Sequence, residues 1–190
     1  MDFKTATAPA GGMSEMPAEA LLLLVPAKTA MDGLTAALGA ALAEALRLAA
    51  KEGDLEMKAG QSLYLHRVAG AKARRVWVAV ASDATPQALA KAAASAAGGV
   101  KSSGARQLSV AVVDAAGPTV EQAQALVLAL RAAVYSYRHT KPSAPAPSKL
   151  QTVQLVVAKE QAAAIKAALQ RASAIADGVE MARPERLERA

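Results

Sequence analysis

Residues 150–183 read LQTVQLVVAKEQAAAIKAALQRASAIADGVEMAR, and the way this stretch divides decides the fold. Leu150–Val157 is a strand-length run rich in Val and Leu. From Lys159 to Met181 the period changes. Ile165, Leu169, Ala172, Ile175 and Val179 recur every three or four residues, which predicts one apolar stripe on a long amphipathic helix. A strand that feeds such a helix is the repeating unit of an α/β layer.

Earlier segments supply more of these units. Residues 138–149 hold Pro142, Pro145 and Pro147 and read as an exposed, extended connection. Before it, Thr119 opens a helix with Gln122 three residues on, the spacing of a capping box. Its stripe is Ala123, Val127, Leu130, Val134 and Tyr137. Gln107–Val113 reads as a strand. Thr85–Pro86 is a helix start, with threonine as cap and proline at the first helical position. That helix is expected to stop at Gly98–Gly99. Gln61–Val68 and Arg75–Ala81 alternate in polarity around a polar turn over Gly70–Arg74, a predicted hairpin. Asp32 is the expected cap of one long helix whose stripe is Leu34, Leu38, Leu42 and Leu46, ended by Gly53. Ala20–Val25 is a continuous apolar run closed by Pro26, a buried strand, and Asp2–Ala8 is an edge strand. The fold class that follows is α/β, a mixed β-sheet flanked by helices on both faces.

Composition narrows the function classes. The chain has 190 residues, enough for one domain that buries about 70% of the surface its unfolded form exposes. Aromatics are only 3%, so Leu, Val, Ile and Ala must build the core. The longest strongly apolar run, Leu21–Val25, is far short of the roughly 20 residues of a spanning helix, and no basic leader precedes an apolar stretch at the N-terminus. No membrane contact and a cytoplasmic location are expected. The absence of cysteine excludes disulfides and thiolate chemistry. Net charge is +6, which suits either solubility or contact with an anionic partner, DNA included. Basic and aromatic residues do not interleave along the chain as stacking platforms would.

No catalytic constellation is visible. A nucleophile elbow is missing, and the two histidines, His66 and His139, are far apart in sequence. His66 reads as a half-buried strand residue and His139 as a solvated loop residue. Gly99-Val100-Lys101-Ser102-Ser103-Gly104 begins like a phosphate loop but continues Ala105-Arg106, and it follows a helix where a phosphate loop follows a strand. Asp83 and Asp114 fall just past strand ends, where ligands gather in open α/β sheets, although turns and caps use the same residue. Lys72, Arg74 and Arg75 cluster at the hairpin turn and are candidate anion or nucleic-acid contacts.

Four segments carry a resemblance to a known family. GDLEMKAGQSLYL (Gly53–Leu65), RRVWVAVA (Arg74–Ala81), YSYRHTK (Tyr135–Lys141) and above all AIADGVEMAR (Ala174–Arg183) together resemble the N-terminal domain of the leucyl (cytosol) aminopeptidases, peptidase family M17. The family usually has glycines where Ala79 and Ala81 stand. It also continues with an Asp-Leu pair and an asparagine–proline stretch where Pro184 and Glu185 follow here. The resemblance covers Asp2 to Arg183 and implies residues 1–183 as a macro-domain-like, non-catalytic N-terminal domain, with 184–190 a charged tail. It further implies a metallopeptidase half outside this chain that carries two divalent metals, manganese or zinc, and the signature Asn-Thr-Asp-Ala-Glu-Gly-Arg-Leu. No catalytic, cofactor or metal residue transfers to any position here. The implied partners are that catalytic domain and neighbouring subunits of a hexamer. Two other functions are weighed beside this one, a nucleic-acid contact and a macro-like small-ligand (ADP-ribose) site.

Overall fold

A computed structural model of the chain describes residues 1–29, 31–114, 117–135 and 148–187; the side chains of residues 31–33 and 180–187 are not described. Six strands form one sheet: β1 (Asp2–Thr7), β2 (Ala20–Pro26), β3 (Ser62–His66), β4 (Arg75–Ala81), β5 (Gln107–Val112) and β6 (Thr152–Val157). Their order is β1-β6-β5-β2-β4-β3. All pairings are parallel except β3 with β4, so the sheet is mixed, as the hairpin pattern predicts.

The core has two layers because β2 is buried on both sides. Leu22 and Leu24 meet the layer formed by α3 (Pro86–Ser102), α4 (Val120–Val134) and α5 (Ala162–Leu187). Leu21, Leu23 and Val25 face the layer formed by α1 (Met31–Leu38) and α2 (Ala40–Glu52). A strand covered on both faces loses the apolar–polar alternation, which is why residues 21–24 are four leucines. Each such side chain contributes about 1.5–3 kcal/mol on burial.

Several expected boundaries move, each for a local reason. The single long helix is two: the chain breaks at Gly39, whose φ of 77° and ψ of 164° belong to a region open essentially only to glycine. Met31 begins α1, so Asp32 lies inside its first turn rather than ahead of it. Ser14, on a short 3-10 turn (Met13–Glu15), is inserted at the break. Its hydroxyl donates to the Leu38 carbonyl at 2.7 Å and accepts from the Leu42 amide at 3.0 Å. One side chain from far along the chain thereby caps the end of α1 and the start of α2 together. The approach is tight, since a Cβ on Gly39 would lie 2.4 Å from the Gly11 carbonyl oxygen.

Helix α3 does not stop at Gly98–Gly99 but runs through them to Ser102. Gly99 is there because α3 passes close over Trp77, and a Cβ at that position would lie 2.7 Å from the indole Nε1. The positive-φ residue that follows the helix is Gly104, φ 73°. The capping box of α4 is present in full, with Thr119 and Gln122 serving each other's backbone. On α5 the inward stripe is Ile165, Ala168, Leu169, Ala172 and Ala176, while Ile175 (57%) and Val179 (48%) are exposed, against expectation. Ala176 takes the inward place beyond Ala172, one residue past Ile175. The helix continues through Arg183–Pro184 to Leu187, so part of the charged tail is helical. His139 and Tyr137 lie outside the described residues.

Candidate functional site

The connection that leaves β2 runs to α1 on one face of the sheet. The one that leaves its neighbour β5 runs to α4 on the other. Two adjacent parallel strands whose chains diverge in this way open a crevice at their carboxyl ends, the usual ligand position in open α/β sheets. A cleft of about 840 Å³ lies there. Its apolar wall comes from Met13, Leu34, Ala111, Val113 and Val156, and its polar rim from Lys28, Thr29, Asp83 and Asp114.

Both aspartates singled out from the sequence therefore reach the same cleft. Asp83 is already occupied by its own turn: its Oδ1 accepts from the Thr85 amide at 2.8 Å and from the Thr85 hydroxyl, and the Ser82 hydroxyl donates to Oδ2 at 3.3 Å. The Thr85 hydroxyl first, then the Thr85 amide, hold the Asp83 carboxyl below the usual carboxylate range, with a further contribution from Lys28. The same Thr85 oxygen accepts from the Ala88 amide at 3.3 Å and caps α3.

On the opposite rim, the buried Gln122 accepts from the Thr119 amide at 2.8 Å and donates across to the Ala84 carbonyl at 2.6 Å. This pins the start of α4 to the loop that opens α3. Glu121 is also held low, first by its own backbone amide and then by the Thr119 hydroxyl. The two helix starts that border the cleft are thus capped by their own side chains. Lys28 and Thr29 could not be picked out in the sequence, because only the fold carries residues beyond Pro26 to the rim.

The basic cluster lies at the other end of the sheet. Lys72 and Arg74 are exposed, Arg75 is half-buried, and all three belong to the β3–β4 connection or its exit. The connection is anchored by backbone: the Lys72 amide donates to the Ser14 carbonyl at 2.8 Å and the Arg74 amide to the Ala18 carbonyl at 3.2 Å. His66 ends β3 and is exposed rather than half-buried, because β3 is an edge strand with that face uncovered. Its Nδ1 lies 3.1 Å from the Tyr64 hydroxyl. The glycine-rich segment 99–104 spans the end of α3 and the turn after it, not a strand-to-helix loop. Among the described residues, no three His, Asp or Glu side chains converge as a metal site, and no helix is long and apolar enough to cross a membrane.

Comparison with known proteins fixes the lineage. Residues 23–143 match the model of the cytosol aminopeptidase family, N-terminal domain. The chain belongs to that family. A probable cytosol aminopeptidase of Methylibium petroleiphilum is 43% identical over 184 residues, an aligned region that covers 96% of this chain and 37% of that protein. A probable cytosol aminopeptidase of Polaromonas naphthalenivorans is 37% identical, over 96% of this chain and 34% of its own length. The chain thus spans about a third of the curated relatives it matches. Among solved structures, a mutant of tomato leucine aminopeptidase superposes with a TM-score of 0.67 at 19% identity, covering 97% of this chain and 38% of that one. The bottromycin maturation enzyme BotP in complex with Mn gives 0.55 at 20% identity, over 84% and 30%. At these identities the likeness speaks for the fold alone. The mixed sheet between helices is that of the leucine aminopeptidase N-terminal domain.

Proposed function

We propose that residues 1–183 act as the non-catalytic N-terminal module of a metal-dependent aminopeptidase, with 184–190 a charged tail, and that peptide hydrolysis belongs to the part of the relatives beyond the aligned region. The observation that carries this reading is the alignment itself, which takes in nearly all of this chain and only about a third of each relative. On this reading the module's role is structural. It packs on its own catalytic domain and on neighbouring subunits of a hexamer, in the cytoplasm. The two divalent metals, manganese or zinc, are held by the catalytic domain. The test is hydrolysis of leucine amide by the 190-residue chain with added manganese or zinc. No turnover is expected, and restoration of turnover by a catalytic domain supplied separately would strengthen the reading. Robust turnover by this chain alone overturns it.

The carboxyl-end cleft favours a second reading, small-molecule binding, with ADP-ribose the candidate a macro-like fold suggests. A pyrophosphate would have to compete with the side chains that already cap α3 and α4. Calorimetry with ADP-ribose tests it: an affinity weaker than millimolar removes the case.

A further inference from the structure

Two side chains of opposite charge meet at the rim of the carboxyl-end cleft. Lys28 follows β2 and Asp83 follows β4, and these strands are parallel neighbours whose last paired residues are Pro26 and Ala81. Each charged residue thus stands two positions past the same rung of the sheet, and both are exposed. The Asp83 carboxylate is fixed by its own turn, since the Thr85 amide and hydroxyl both donate to Oδ1. Its Oδ2 receives only the Ser82 hydroxyl at 3.3 Å and keeps capacity for a further donor. Lys28 is close enough to help keep Asp83 ionised, yet among the described residues no carboxylate lies within 4.0 Å of its ammonium.

Behind this pair the cleft is aliphatic. Met13, Leu34, Ala111, Val113 and Val156 line it, and no aromatic ring of the described residues does, so a nucleobase would find nothing to stack on. Its volume of about 840 Å³ is that of a site for a small molecule. The rim holds one lysine and two aspartates. A plain carboxylic acid would meet the aspartates as like charges, and a plain amine would leave Lys28 unmatched.

One class of molecule carries an ammonium, a carboxylate and an apolar group on a single carbon. We propose that the cleft binds a free α-amino acid with an aliphatic side chain, its carboxylate on Lys28, its ammonium on Asp83 Oδ2 and its side chain against Leu34, Val113 and Val156. The inference rests on the small-molecule reading of the cleft and narrows it to a ligand without phosphate.

The test is isothermal titration calorimetry of the 190-residue chain with L-leucine, beside a parallel titration with ADP-ribose. Saturable binding of leucine with a Kd of about 1 mM or below is expected. Glycine should bind about 10- to 150-fold more weakly, the range for withdrawing one leucine side chain from an apolar site. N-acetyl-L-leucine, which lacks the ammonium, and L-leucinamide, which lacks the carboxylate, should each bind more weakly than leucine. Lys28→Gln should weaken leucine about 2- to 5-fold, the range of an exposed ion pair, and leave leucinamide unchanged. No binding of leucine at millimolar concentration overturns the proposal. ADP-ribose then separates the two failures: if it binds, the small-molecule reading of the cleft stands, and if it does not, both fall. Glycine or N-acetyl-L-leucine binding as tightly as leucine overturns the proposal as well. So does a Lys28→Gln chain that weakens leucine and leucinamide alike. Circular dichroism of the variant separates lost binding from lost fold.

Discussion

Replacing Ser14 by alanine removes a single oxygen, yet two buried backbone groups depend on it. The Leu42 amide is one of the first-turn donors of α2 that have no partner within the helix, and the Leu38 carbonyl is a last-turn acceptor of α1. Loss of an N-terminal cap costs about 1 kcal/mol. A buried carbonyl left without a donor adds about 1–3 kcal/mol. Ser14→Ala should therefore destabilise the chain by about 2–4 kcal/mol, which for a domain of this size lowers Tm by about 5–15 °C. Ser109 is the internal control. It too is buried, at 0% exposure, but its hydroxyl has no hydrogen-bond partner among the described residues. Removing an unsatisfied group is close to neutral or slightly stabilising, so Ser109→Ala should change stability by less than about 0.5 kcal/mol in the unfavourable direction. Urea unfolding followed by circular dichroism measures both. If Ser14→Ala matched the parent, or if the two alanines were equally harmful, the assignment of Ser14 as a joint between two helices would be wrong.

Other positions give sharper contrasts. Gly39→Ala attacks the same joint from the other side, through both its positive φ and a Cβ that meets the Gly11 carbonyl, and should cost about 2–4 kcal/mol in the same unfolding assay. Adjacent glycines of α3 should respond oppositely: Gly98→Ala faces open space and should stabilise by about 0.5–1 kcal/mol, whereas Gly99→Val must displace Trp77 and should destabilise by about 1–3 kcal/mol, visible also as a shifted tryptophan emission. Because the folded pKa of Asp83 is depressed, its contribution is present above the unfolded carboxylate range and fades as pH falls through the folded value. Asp83→Asn should thus weaken the chain at pH 7 and match it in strong acid, and a difference that stayed constant down to pH 2.5 would contradict this. Leu22→Ala, in the strand covered on both faces, should cost about 2–5 kcal/mol by thermal unfolding.

The sequence carries the large elements because their signals are periodic and local. Four consecutive leucines in a short run closed by Pro26 read as a strand buried on both faces, and Thr85–Pro86 and Thr119–Gln122 state their helix starts in chemistry that needs no distant partner. The failures all involve contacts made across the fold. Gly98–Gly99 looks like a stop until Trp77 is seen pressed against α3, and Leu34 to Leu46 looks like one helix until Ser14 arrives in the middle. On α5, periodicity could not show that Ile175 and Val179 stand in solvent while Ala176 packs inward. The candidate site divides in the same way. Asp83 and Asp114 were legible because strand ends are, but Lys28 and Thr29 reach the rim only through topology. Likewise, no linear reading puts Tyr64 on Trp77 or His66 beside Arg75, since register alone creates those pairs.

The pairing of β1 with β6 joins Asp2–Thr7 to Thr152–Val157, almost the full length of the chain apart. During synthesis β1 thus leaves the ribosome long before the strand it pairs with. Until residue 157 has emerged, Phe3 has no strand beside it, and β6 cannot be completed at all. Closure of so distant a contact slows folding and leaves apolar edges open to wrong partners meanwhile. A nascent chain halted between β5 and β6 should for that reason be the form most readily captured by chaperones.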